Sequence, residues 1–246
     1  MLKPCVAFVT YNEYGQYDWT QICVKTYREV FNESYPLVCV DHNRNPEEQR
    51  FLKDHGVTVV PNPTKDTTHG RGLDIAAEYA KEAGHDVMIV VEPDCVFSGV
   101  KWMNELLKAI EDGYHMAGTF RWPYGPIHPC GSAWRLDKIP GSFKLVKKSD
   151  EVYLPKYKQL MNLAELNAAV LKGNYNSHLV HFFFYWWDVG IRNWFHLACE
   201  SKDKLVSESG FRHWWGSHKR SPTDLHELGK MPSPDKWLGP VTKMMI

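Results

Sequence analysis

No charge of one sign predominates in this chain. Lys plus Arg and Asp plus Glu number 29 each, so the formal charge is zero, and the pI is about 7.2. A field strong enough to advertise nucleic acid or a membrane surface is therefore missing, and long polyanionic acceptors are disfavoured because phosphate contacts need clustered Lys and Arg. The opening MLKPCVAFVTYNE lacks the basic region, apolar core and small-residue cleavage site of a signal peptide. The run 179–187 is too short to span a bilayer and is interrupted by His181. These features lead us to expect a soluble, cytoplasmic protein with no transmembrane segment. Cysteine is scarce: six residues stand at 5, 23, 39, 95, 130 and 199, with no two near enough in sequence for a metal knuckle or a redox pair. A disulfide framework is not expected.

With 43% hydrophobic and 24% charged residues over 246 positions, the chain can bury one large core, which excludes disordered and fibrous classes. Its first hundred residues alternate strand and helix signals, the pattern of a parallel sheet with crossover helices. Strands are expected at 5–10, 37–40, 57–60 and 87–91. Helices are expected at 19–31, at 46–53 with Asn45 as N-cap and Pro46 in the first turn, and at 73–83 before Gly84. The expected fold class is α/β, with a central mixed, mostly parallel sheet flanked by helices, and such sheets bind ligands at the carboxyl ends of their strands.

Polar residues stand where that rule wants them. Thr10, Tyr11, Asn12 and Glu13 follow the first strand, Asp41 and His42 the second, and Glu92 and Asp94 the fourth. The last pair ends the segment DVMIVVEPDCVF, where strand alternation puts both carboxylates on one side and Pro93 stops the ladder. Two like charges there repel unless a cation or a proton lies between them, and a divalent metal is the economical answer.

Beyond residue 98 the pattern changes. A helix is expected at 102–110, a strand at 116–120, and a loop that wraps a ligand at 121–131, which is rich in Pro and Gly. Nine of the ten tryptophans follow position 100, and flat aromatic faces suit the apolar faces of sugar rings. From Ser221 onward the sequence has little periodicity and reads as a surface tail.

Four pieces, in order across about residues 4 to 218, resemble GT-A fold glycosyltransferases of the family 2 type. They are VAFVTYNE; HGRGLDIAAEYAKEAG with VMIVVEPDC; GPIHPCGSAWRLDKI; and FYWWDVGIRNWF with FRHWWGSH. The resemblance implies a Rossmann-like GT-A fold in which 1–98 form the nucleotide-sugar-binding half. Residues 99–220 then form the acceptor-binding and catalytic half of the same domain, and 221–246 a C-terminal tail. It implies an inverting, metal-dependent hexosyltransferase that uses Mn2+ or Mg2+ and moves a sugar from a nucleotide-diphosphate sugar to an acceptor hydroxyl. That hydroxyl could belong to a glycan, a lipid-linked sugar, a protein or a modified DNA base.

Carried over residue by residue, Thr10, Tyr11, Asn12 and Glu13 cradle the nucleotide together with Asp41. Asp94 ligates the metal in a DxD-like motif, and Glu92, standing where the family has its first Asp, contacts ribose or metal-bound water. His213 completes the metal site, with His218 as competitor. Arg71 pairs with a phosphate and Asp66 hydrogen-bonds the base. Trp122, Gly131, Ser132 and Trp134 wall the meeting place of donor and acceptor. Asp188 is the general base, with the alternative role of N-cap to a helix at 189–199.

Two rivals remain. A sugar-phosphate nucleotidyltransferase would share the sheet and the carboxylates, but the Gly-rich, basic loop that holds a triphosphate is missing after the first strand. A noncatalytic carbohydrate-binding module would explain the tryptophans but not the polar set at the strand ends.

Overall fold

The computed structural model describes residues 2–10, 16–42, 45–119, 127–144, 146–147, 186–187, 190–206 and 211–213. The first half alternates as expected: β1 (Pro4–Thr10), α1 (Gln16–Phe31), β2 (Leu37–Asp41), α2 (Pro46–Asp54), β3 (Val57–Pro61), α3 (His69–Glu82) and β4 (Val87–Val90). Then follow β5 (Cys95–Phe97), α4 (Lys101–Glu111), β6 (Met116–Gly118), β7 (Ser132–Arg135) and a short 3-10 turn (Leu136–Lys138). The remaining described elements are β8 (Val146–Lys147), β9 (Trp186–Trp187), α5 (Ile191–Cys199), β10 (Asp203–Leu205) and β11 (Phe211–His213).

Seven strands form one sheet in the order β10-β6-β7-β4-β1-β2-β3. β1 pairs in parallel with both β2 and β4, β2 with β3, and β10 with β6, while β7 runs antiparallel between β4 and β6. The fold is thus the α/β, mixed and mostly parallel arrangement expected. Burial on both faces explains why β1 and β4 read as unbroken apolar runs. Alternation splits each strand between two cores. Cys5, Ala7, Val9, Met88 and Val90 face the side packed by Leu73, Ala76 and Ala80 of α3 and Trp194 and Leu197 of α5. Val6, Phe8, Val87 and Ile89 face Val24 and Tyr27 of α1 and Trp102 and Leu106 of α4. Elements from both sides of residue 98 share the sheet and its cores. Among the described residues no helix is long and apolar enough to cross a membrane.

Local chemistry sets the boundaries. The Asn45 side chain accepts from Glu47 N–H ahead of Pro46, so α2 starts where expected. α3 begins four residues before the expected start, because the Thr68 hydroxyl caps the Arg71 N–H and admits Gly70 and Gly72 to the helix. Both glycines permit close approach: a Cβ on Gly70 would lie 2.5 Å from Lys144 Cα, and one on Gly72 2.5 Å from Val9 Cγ1. The expected helix at 189–199 is corrected. α5 starts at Ile191 behind Gly190, whose φ of 74° supplies the left-handed cap, so Asp188 is not its N-cap.

Candidate functional site

β4 stops at Val90, and the chain turns at Pro93 and Asp94 before β5, with Cys95 N–H donating to Glu92 O at 3.1 Å. The two carboxylates therefore sit on a tight turn rather than on one face of a continuing strand. Both are buried, Asp94 completely and Glu92 to 8% exposure. Parallel pairing puts Thr10, Asp41 and this turn at one edge of the sheet, since Thr10 is in register with Asp41 and Ala7 with Val90.

β7 brings the other half to that edge. Ser132 is in register with Val90 on one side and Gly118 on the other, and Gly131 N–H donates to Val90 O at 2.8 Å. Gly131 has φ of 69°, a conformation most side chains resist. Ser132 is fully buried; its hydroxyl donates to Pro129 O and accepts from Trp134 Nε1 at 2.6 Å. Trp134 is fully buried edge-on against Phe143, so it serves as core.

β11 runs antiparallel to β5 with His213 opposite Cys95, next to Asp94. That register brings the backbone of His213 beside the carboxylate turn. Tyr11, Asn12, Glu13, Trp122, Asp188 and His218 lie outside the described residues.

The edge formed by β2, β3 and the start of α3 is densely hydrogen-bonded. Asp41, buried, accepts from Thr10 Oγ1 at 3.3 Å and from Gln49 Nε2 at 2.5 Å. Asn62, between two prolines, donates to His42 Nδ1 at 2.9 Å and to Asp66 O at 2.7 Å, while its Oδ1 accepts from the amide and hydroxyl of Thr64. Because Asn62 Oδ1 is committed, its amide cannot flip, and His42 must be the tautomer whose Nε2–H donates to Thr68 O at 3.2 Å. Burial holds His42 below its usual pKa. Asp66 accepts from the amide and hydroxyl of Thr68 and pairs with Lys144 Nζ at 2.7 Å. Lys144 chiefly, and Thr68 after it, keep that carboxyl well below the usual range. Arg71, in the first turn of α3, lies 3.5 Å from Glu78 Oε1.

Several of these residues escaped the sequence reading. Gln49 holds Asp41, and Asn62, Thr68 and Lys144 hold His42 and Asp66; Pro61-Asn-Pro63 was the signal for a fixed turn. Beside the carboxylate turn, Glu92, His128 and Cys130 offer ligand atoms all within 4.8 Å of one another, and all three are buried. The segment quoted as GPIHPCG carried two of them. His128 Nδ1 accepts from Cys130 N–H at 3.0 Å. Thiol sulfur is a soft ligand that suits a hard cation poorly. The carboxylates are the donors that suit Mn2+ or Mg2+ here.

No protein-family model and no curated protein sequence matches the chain. Solved structures with a similar arrangement include a mannosyltransferase from Pyrobaculum calidifontis in complex with GDP-Man and Mn2+. It is 15% identical, with a TM-score of 0.47, over 58% of this chain and 47% of that one. Another is a cytidylyltransferase from Leptospira borgpetersenii, 12% identical, with a TM-score of 0.43, over 56% of this chain and 62% of that one. The chain thus spans less than two thirds of either. The likeness is partial and one of overall arrangement, and the α/β class stands on the strand pairing itself, a mixed, mostly parallel seven-stranded sheet flanked by helices.

Proposed function

We propose that this protein is a metal-dependent, inverting glycosyltransferase that moves one sugar from a nucleotide-diphosphate sugar to an acceptor hydroxyl. The observation that carries the reading is the convergence of Thr10, Asp41, Glu92 and Asp94 at one sheet edge, with β11 laid against β5. Two buried carboxylates on one turn are stable together only with positive charge or a proton nearby, and their oxygens fit a hard divalent cation. Asp94 is the first ligand, with Glu92 beside it and His213 completing the set. When bound, the cation supplies positive charge against the charge that develops on the diphosphate leaving group.

The rest falls to the chain's own groups. Thr10, Tyr11, Asn12, Glu13 and Asp41 receive the nucleoside, with Asp66 held ionised to accept from the base. Arg71 turns from Glu78 to a phosphate. Gly131 and Trp122 border the sugar, whereas Ser132 shapes that border through its bonds to Pro129 and Trp134. Asp188 takes the proton from the acceptor hydroxyl as its oxygen attacks the anomeric carbon opposite the leaving group.

Thermal shift against a panel of nucleotide-diphosphate sugars, with and without Mn2+, tests the reading. Metal-dependent stabilisation by at least one donor is expected. Stabilisation by a nucleoside triphosphate with a sugar phosphate, and by no nucleotide sugar, would favour nucleotidyl transfer instead. Sugar binding indifferent to metal would favour a binding module.

A further inference from the structure

Directly beneath the carboxylate turn lies a layer of sulfur that the proposed reaction does not use. Cys95 Sγ and Cys130 Sγ are 3.3 Å apart, closer than two sulfurs sit in ordinary van der Waals contact, and both residues are fully buried. Spacing in the sequence does not reveal this contact: the β7 turn brings residue 130 back onto β5. Each thiol is fixed by the backbone around it. Glu92 N–H donates to Cys95 Sγ at 3.3 Å, and Cys130 sits in the turn held by its own N–H to His128 and by Gly131 N–H to Val90 O. Cys23 also belongs to the layer, but its thiol is turned to Glu92 O at 3.6 Å.

We infer that Cys95 and Cys130 form a reversible, oxidant-driven disulfide that fastens the Glu92–Cys95 turn to the segment leading into β7. The inference does not depend on the proposed transferase activity. With hydrogen peroxide as oxidant, two S–H bonds and one O–O bond break and one S–S bond forms. The sulfurs are oxidised and the peroxide is reduced to two waters, which carry away both thiol protons. The sulfurs need approach by only about 1.3 Å to reach a disulfide length. Both thiols are fully buried, so the oxidant reaches them only on brief local opening and the bond closes slowly in the native state.

The test uses the full chain, reduced, then exposed to hydrogen peroxide under native conditions. Free thiols are blocked with N-ethylmaleimide, and an unreduced digest is read by mass spectrometry. Half-exposed Cys199 reports that the oxidant acted. A peptide pair joining Cys95 and Cys130 is expected, lost on treatment with dithiothreitol. It should be absent from Cys95→Ser and from Cys130→Ser, each verified as folded by circular dichroism. The oxidised protein is expected to melt higher than the reduced one, because the cross-link restricts the unfolded chain. Recovery of both thiols unmodified while Cys199 is oxidised, or Cys23 in place of either partner, would overturn the inference. So would a fall in the melting midpoint, which would mean that the sulfurs join only by distorting the site.

Discussion

The two sides of the sheet edge are built from different materials. At the β2–β3 edge, His42, Asn62, Asp66, Thr68 and Lys144 hold one another by directional hydrogen bonds and an ion pair, and Asp41 is held by Thr10 and Gln49. Around the carboxylate turn the neighbours are Cys23, Cys95 and Cys130, whose sulfurs are polarizable and tolerant of geometry. A network in which every partner is committed suits recognition of one rigid shape. The contrast teaches that one stretch of the sheet edge is fixed by directional polar bonds while the carboxylate turn is bedded on sulfur.

The largest effect should come from the carboxylate side. Asp94→Asn is expected to lower the transfer rate by roughly 100-fold or more, the scale on which a preorganised electrostatic stabiliser acts. It should leave the fold intact by circular dichroism; a near-normal kcat with metal present would remove Asp94 from the site. Asp188→Asn should be of similar size in kcat with little change in donor affinity. Next comes the packing that joins the nucleotide network to the sheet. Gly70→Ala would drive a methyl into the backbone of Phe143 and Lys144 and should cost about 1–3 kcal/mol in urea unfolding, the range for overpacking.

A subtler break uses pH. Burial lowers the pKa of His42, while the Thr68 carbonyl, Asp41 and Asp66 pull the other way. Its folded pKa lies below the ordinary 6.5, so on acidification the unfolded chain takes the proton first. Stability from this group is therefore present above pH 6.5 and is lost as pH falls below it. His42→Gln should flatten the melting profile in that window, and an unchanged slope would show that the network tolerates imidazolium. The smallest effect is expected for Lys144→Ala. Its ion pair with Asp66 is partly exposed, so unfolding should change by under about 1 kcal/mol. The Asp66 carboxyl should titrate at higher pH by NMR.

What the sequence disclosed was mostly local. The β1 to β4 alternation, the Asn45–Pro46 start of α2 and the placing of Thr10, Asp41 and Glu92 at strand ends depend on neighbours a few residues away, and all are found. The short strands β5, β7, β10 and β11 were illegible because three or four residues acquire strand character only from distant partners. The Cys95–Cys130 contact was hidden for the same reason, being made by strand return across the β6 and β7 connection. Ser132 and Trp134 looked like site walls because aromatic and polar character does not reveal burial. The start of α3 was misplaced because Gly70 and Gly72, which resemble a loop, are there for close approach.

The order in which the strands arrive has its own consequence for a chain emerging from the ribosome. β1 can gather β2, β3 and β4 once about ninety residues exist, since α1, α2 and α3 supply the crossovers between them. β7 must then wedge between β4 and β6, and the strand that lies along β5 comes only at Phe211–His213. A nascent chain stopped near residue 205 would own its whole seven-stranded sheet while Cys95 still lacked its strand neighbour. Structural maturity and completion of the carboxylate turn are thus separate events in synthesis, and the turn is finished last.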